Sequence, residues 1–223
     1  GVKISTLINM EPGEKVIAIT SLYRKTDAEF VLFITKQGLI KKTAIEEYMK
    51  VKRSTGIAAI KLKEGDSIAN VTFVKDEDII LITKKGMSIH FTTKDITPIG
   101  RVTAGVKAIK LNDGDCLVSA KIIPETTTDI ASVSNIGLIK KTPISDFGTQ
   151  GRGTKGSKIQ KIGEDEWIAD FYPLTTETEI LVASNNSCIK FAVSEIPTLS
   201  KGAAGSRSIK LSPNSHIVGI SKS

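Results

Sequence analysis

FVLFITKQGLIKKT, residues 30–43, decides the fold. Val31 to Thr35 is an apolar, β-branched run. Lys36-Gln37-Gly38 is a polar turn, and Leu39 to Thr43 is a second run that turns basic. A glycine in such a turn adopts positive φ without a Cβ clash, so the stretch reads as a β-hairpin. The pattern returns as DIILITKKGMSIHF from Asp78, DIASVSNIGLIKKT from Asp129 and EILVASNNSCIKFA from Glu179. Its turn anchors, Gly38, Gly86, Gly137 and Ser187, are 48, 51 and 50 residues apart.

A second anchor follows each hairpin. The segments are RSTGIAAIKL from Arg53, VTAGVKAIKL from Val102, GTKGSKIQKI from Gly153 and AAGSRSIKL from Ala203. Their glycines, Gly56, Gly105, Gly156 and Gly205, are spaced by 49, 51 and 49 residues, and a lysine stands five residues after each: Lys61, Lys110, Lys161 and Lys210. Two anchors recurring in phase over four copies mark a repeat protein. The units run over about 24–73, 74–123, 124–173 and 174–223, with a partial unit at 1–23 that resembles a repeat tail. That tail either supplies a strand that closes a ring or belongs to a unit whose head is absent.

Each unit reads as about four short strands. In the first these are the hairpin, Ile57 to Leu62, and Ser67 to Val74. Long 3.6-residue periodicity is missing, so helices are expected only as a brief turn at Glu46, Glu47 and Tyr48. The fold class is therefore all-β, one domain over 1–223, with about four to five four-stranded blades in a propeller-like arrangement. One unit cannot bury both its faces alone, whereas neighbours in a ring can.

Composition narrows function. Lys+Arg 31 against Asp+Glu 24 gives net +7, which favours a polyanionic partner without naming one. Aromatic residues are only 5% of the chain, which argues against a sugar-binding propeller. Cys116 and Cys188 form no CxxC or Cys/His cluster; they read as two buried, reduced thiols, and no metal is expected. No apolar run reaches the ~18 residues that span a bilayer, no signal peptide opens the chain, and the lack of an initial Met suggests an excised fragment. His90 and His216 are isolated, and no nucleophile motif or P-loop is present. Catalytic residues and cofactors are accordingly expected to be none.

GLIKKT at 38–43 and 137–142, followed by TAGVKAIKL at 103–111, resembles the C-terminal domain of the A subunit of bacterial type IIA topoisomerases, DNA gyrase and topoisomerase IV. The resemblance runs from about Leu7 to Ile220. It implies a β-pinwheel, in which neighbouring blades exchange a strand, and double-stranded DNA bent around the outer rim with weak sequence preference. It also implies that strand passage lies in other domains. The implied partners are the rest of that polypeptide, together with the ATP-hydrolysing B subunit, in a cytoplasmic, chromosome-associated enzyme. Such an enzyme cleaves DNA with a tyrosine that follows an arginine in a separate domain. Here Tyr23, Tyr48 and Tyr172 follow Leu22, Glu47 and Phe171, so this fragment is expected not to be an enzyme.

QGRGTKG at 150–156 is similar to that family's basic box, Gln-Arg-Arg-Gly-Gly-(Lys/Arg)-Gly. Gln150, Arg152, Gly153, Lys155 and Gly156 match, while Gly151 and Thr154 depart. The family box sits in the first blade, whereas this stretch falls in the third unit. Glycines let a backbone approach phosphates, and Arg and Lys supply charge and donors. The further candidates for DNA contact are Lys41, Lys42, Lys140, Lys141 and Lys190 after the hairpin turns, and Arg53, Arg101, Lys107, Lys158, Lys201 and Arg207 around the second anchors. In a ring, repeat-equivalent positions fall at equal radii, so these cations would form a stripe, strongest near units one and three. The alternatives remain a solvated face of edge strands and a propeller used as a protein-interaction scaffold.

Overall fold

Each hairpin forms where a hydroxyl residue closes the first strand. The Thr35, Thr83 and Ser134 side chains accept the main-chain N–H of Leu39, Met87 and Leu138. The computed structural model describes residues 1–19, 27–49, 56–207 and 209–223. The first unit gives β1 (Phe30–Thr35), β2 (Leu39–Ala44), a one-turn helix α1 (Glu46–Met49) and β3 (Ile68–Val74). The second gives β4 (Asp78–Thr83), β5 (Met87–Thr92), β6 (Val106–Lys107) and β7 (Leu117–Ile123). The third gives β8 (Asp129–Ser134), β9 (Leu138–Pro143), β10 (Ser157–Lys158) and β11 (Ile168–Leu174). The fourth gives β12 (Glu179–Ser184), β13 (Cys188–Ala192), β14 (Ser206–Arg207) and β15 (Ile217–Lys222).

The strands build four antiparallel sheets, or blades. Their orders are β3-β1-β2-β6, β7-β4-β5-β10, β11-β8-β9-β14 and β15-β12-β13. The outer strand of each of the first three blades thus comes from the following unit. Val106 and Lys107 pair with Ile40 and Leu39, Ser157 and Lys158 with Ser88 and Met87, and Ser206 and Arg207 with Ile139 and Leu138. The expectation of four-stranded blades with exchange holds for the first three. The fourth has three strands among the described residues. Ile57 to Leu62, read as a strand, is not one, because no hairpin of the described residues pairs with it. Residues 1–19 carry a single 3-10 turn, Ile4–Thr6, and join no sheet; Leu7, Ile17 and Ile19 are exposed.

Three apolar layers lie between successive blades, as the two-residue period of a strand requires. Ile79 and Leu81 of β4 face the first blade, with Leu32, Ile34 and Ile40. Ile80 and Ile82 of the same strand face the third, with Ile130 and Ile168. Ala131 and Val133 face the fourth, with Ile180 and Val182. Fully burying one such aliphatic side chain contributes about 1.5–3 kcal/mol, so these layers dominate the stability. The cysteines depart from expectation: Cys116 is half-buried and Cys188 exposed, the latter on β13, which has no outer neighbour strand among the described residues.

Candidate nucleic-acid interface

Strand exchange explains why two glycines recur in phase. Gly105 has φ +84°, and a Cβ there would sit 2.6 Å from the Ile40 carbonyl oxygen. Reciprocally, a Cβ on Gly38 would sit 3.0 Å from the Ile109 carbonyl oxygen. The hairpin glycine of one unit and the anchor glycine of the next therefore make room for each other's backbone. Gly86 with Gly156, and Gly137 with Gly205, repeat the arrangement.

The same exchange corrects the reading of the paired lysines. Because β6 and β14 cover β2 and β9, those strands are sheet interiors rather than edges. Lys41, Lys42 and Lys140 are buried, and Lys141 is half-buried. Lys41 Nζ donates to the carbonyls of Ala59 and Arg101, and Lys140 Nζ to those of Ser200 (2.5 Å) and Lys201 (3.2 Å). Lys42 and Lys141 donate to the carbonyls of Thr93 and Val193, each at 3.1 Å. Burial lowers the pKa of Lys41, and it brings that of Lys140 down to about 8. These ammonium groups tie one unit to the loop of the next, and those that are buried cannot meet phosphate. Lys190, on the fourth blade, is exposed and pairs with Glu179 at 2.5 Å.

Three of the remaining cations lie on the exchanged outer strands. Lys107, Lys158 and Arg207 occupy the second position of β6, β10 and β14, and all three are exposed. The box-like loop lies alongside. The Gly153 N–H donates to the Ala108 carbonyl at 2.8 Å and Arg152 Nη1 to the Lys107 carbonyl at 3.0 Å, so the loop is fixed to the preceding outer strand. Lys155 is exposed, and Gly156 leads into β10 at φ +72°. Gln150 is half-buried, its N–H bonded to the His90 carbonyl. Lys201 Nζ bonds Ser157 Oγ at 3.0 Å, and Arg101 lies 3.9 Å from Glu47. Arg53 and Tyr23 lie outside the described residues.

Counting back from the anchors, Arg101, Arg152 and Lys201 each stand four residues before their glycine, and Lys52 holds that place in the first unit. Arg53 is one residue out of this register. Lys61, Lys110, Lys161 and Lys210, each five residues after an anchor glycine, are also exposed. Arg152 keeps donors in its guanidinium fork beyond the one used, and can serve an anionic oxygen while holding β6.

The Tyr48 hydroxyl donates to the Ala59 carbonyl and Tyr172 bonds Glu177, and burial raises the pKa of both phenols. No group of His, Cys, Asp and Glu among the described residues could hold a metal ion. No helix among them is long and apolar enough to cross a membrane.

Comparison with known proteins adds the lineage. The family model described as "DNA gyrase C-terminal domain, beta-propeller" matches at 29–75, 77–124, 128–175 and 180–223, in register with the four blades. The A subunit of DNA gyrase from Lawsonia intracellularis is 32% identical over 99% of the chain, and that from Kosmotoga olearia 34% over 95%. The chain spans 27% of the length of each. A solved DNA gyrase A C-terminal domain superposes with TM-score 0.88 at 27% identity, over 99% of this chain and 74% of that one. The C-terminal domain of a DNA topoisomerase IV shares the fold with TM-score 0.88 at 24% identity, over 100% of this chain and 70% of that one.

Proposed function

We propose, from the premise that this chain belongs to the DNA gyrase A C-terminal domain family, that it binds and bends double-stranded DNA along its outer rim and performs no catalysis. One observation carries this reading. Three successive exchanged strands present a basic side chain at the same position, exposed on the outer edge: Lys107, Lys158 and Arg207. Repetition of a cation along a curved edge matches the repetition of phosphates along a bent duplex. The mainly main-chain-fixed, glycine-rich setting of Arg152 and Lys155 suits phosphate contact rather than the reading of base edges.

Bending 20–30 base pairs by 40–90° costs on the order of 1–6 kcal/mol, which released counterions can offset. The parent enzyme would be an ATP-dependent type II topoisomerase of the bacterial cytoplasm. Its cleaving tyrosine would lie in another domain, and its B subunit would supply ATP hydrolysis; this domain would need no cofactor. The deciding measurement is the salt dependence of binding to a linear duplex. With about six to eight phosphate contacts, log K falls against log salt with a slope of roughly −5 to −7. A slope near zero, or no binding by the chain, removes the electrostatic basis and favours a protein-interaction scaffold. If the double variant Arg152→Ala, Lys155→Ala binds as well as the parent, the loop at 150–156 has no part in it.

A further inference from the structure

Lys42, His90 and Lys141 are equivalent residues, each four positions after a hairpin glycine. Each accepts a main-chain N–H from the next unit through its own carbonyl: Ile99 to Lys42, Gln150 to His90 and Leu199 to Lys141, at 2.7–2.9 Å. Each side chain also reaches a main-chain carbonyl of the next unit's short turn. For the two lysines the donor is a side-chain ammonium group. In the second blade it is an imidazole. Since a carbonyl can only accept, His90 Nδ1 carries a proton and donates to Phe147 O at 2.6 Å. The other ring nitrogen, Nε2, is buried without a formed hydrogen bond and lies 3.3 Å from Asp78 Oδ2, an ion-pair distance. Both nitrogens thus confront acceptors. Only the imidazolium presents N–H to each, whereas the neutral Nδ1–H form turns a lone pair toward a carboxylate.

We propose that His90 is a positioning residue whose protonation sets the tie between the second and third blades. It thereby sets the seat of the loop at 150–156 and of β10 on the rim. The link is short. Gln150 is bonded to the His90 main chain, and β10 pairs with Met87 and Ser88 on the same strand as His90. The consequence for DNA rests on the function proposed above; the tie itself does not. The charged groups lining the cleft beside His90 are Asp76, Asp78, Glu77 and Lys75 from the β3–β4 connection and the start of β4, Lys94 from the turn after β5, and Glu125 from the turn after β7. Between pH 5.5 and 8 carboxylates and lysines in ordinary surroundings keep their charge and imidazole does not, so the tie loosens as pH rises.

The test uses the whole 223-residue chain with His90→Lys, which restores the cation of the first and third blades, and His90→Gln, which keeps a neutral donor. Without DNA, amide exchange of Gln150 and Ile159, whose N–H groups bond the carbonyls of His90 and Gly86, and the Tm are followed from pH 5.5 to 8. The parent is expected to lose protection at both amides and roughly 3–12 °C of Tm relative to His90→Lys, the size of one lost charge-assisted bond in a domain of this length. Both variants are expected to lack this decline. The only other histidine, His216, is common to all three proteins and cancels. The same pH profile in parent and variants overturns the tie. With a duplex at fixed salt, affinity of the parent is expected to fall several-fold more over this range than that of His90→Lys. Equal falls overturn the link to the rim while exchange still reports the tie. Absence of DNA binding at every pH overturns the proposed function instead.

Discussion

The third and fourth blades carry the same hairpin and treat its second strand in opposite ways. β9 lies between β8 and the exchanged β14, whereas β13 has β12 on one side and no strand of the described residues on the other. In the third blade Gly137 is needed, because a Cβ there would lie 2.9 Å from the Ile209 carbonyl oxygen, and Lys140 is buried against two carbonyls. In the fourth blade serine takes the glycine's place. Ser187 is exposed, its N–H is held by Ser184 Oγ, and Lys190 stands in solvent beside Glu179. The first unit shows the complementary case. Gly56 keeps φ +69°, and among the described residues nothing lies within 4 Å of a Cβ there. The glycine pairs and buried lysines therefore belong to the exchange, not to the hairpin as such. A lysine on an uncovered edge also discourages unwanted strand pairing.

Substitutions at the two kinds of joint separate these readings. The largest effect is expected for Gly156→Ala. Its methyl group would overlap the Ser88 carbonyl at a positive φ, so β10 must move; the loss is about 3–5 kcal/mol in urea unfolding. The matching Gly56→Ala has only the backbone strain to bear, about 1–2 kcal/mol. Equal losses at the two sites would show that the close approach does not matter.

Next comes Lys140→Met, which leaves the carbonyls of Ser200 and Lys201 without their donor and costs about 2–3 kcal/mol. Lys190→Met, which breaks an exposed pair, costs under about 1 kcal/mol. A smaller effect, on DNA rather than stability, is expected for Lys158→Ala. Affinity drops about three- to tenfold and the salt slope becomes shallower by about one, while Lys190→Ala changes both less. The smallest is Ser187→Gly, within about 0.5 kcal/mol of the parent, because no exchanged strand passes over that turn in the described residues. Gly137→Ser, the reverse exchange, is expected to destabilise by several times as much.

Much of this was legible in the chain itself. Four hairpins, their limits and the brief helix after the first follow from alternating apolar residues and turn glycines, which act through neighbouring residues. The resemblance of GLIKKT and TAGVKAIKL then pointed to the family, and the loop at 150–156 was singled out by its likeness to that family's basic box. The paired lysines misled. In sequence they look like the solvent side of edge strands; in space a segment some 70 residues downstream covers that edge and closes over them. His90 read as an isolated strand histidine for the same reason, since its partners Asp78 and Phe147 come from a neighbouring strand and from another unit.

The repeat, the alternation of its strands and the positions of its cations were settled by sequence, because period and turn chemistry are local properties of the backbone. Which of those cations are buried ties and which stand on the rim was settled by tertiary structure. That depends on the strand each unit receives from the next, and only the assembled blades bring donor and acceptor edges together.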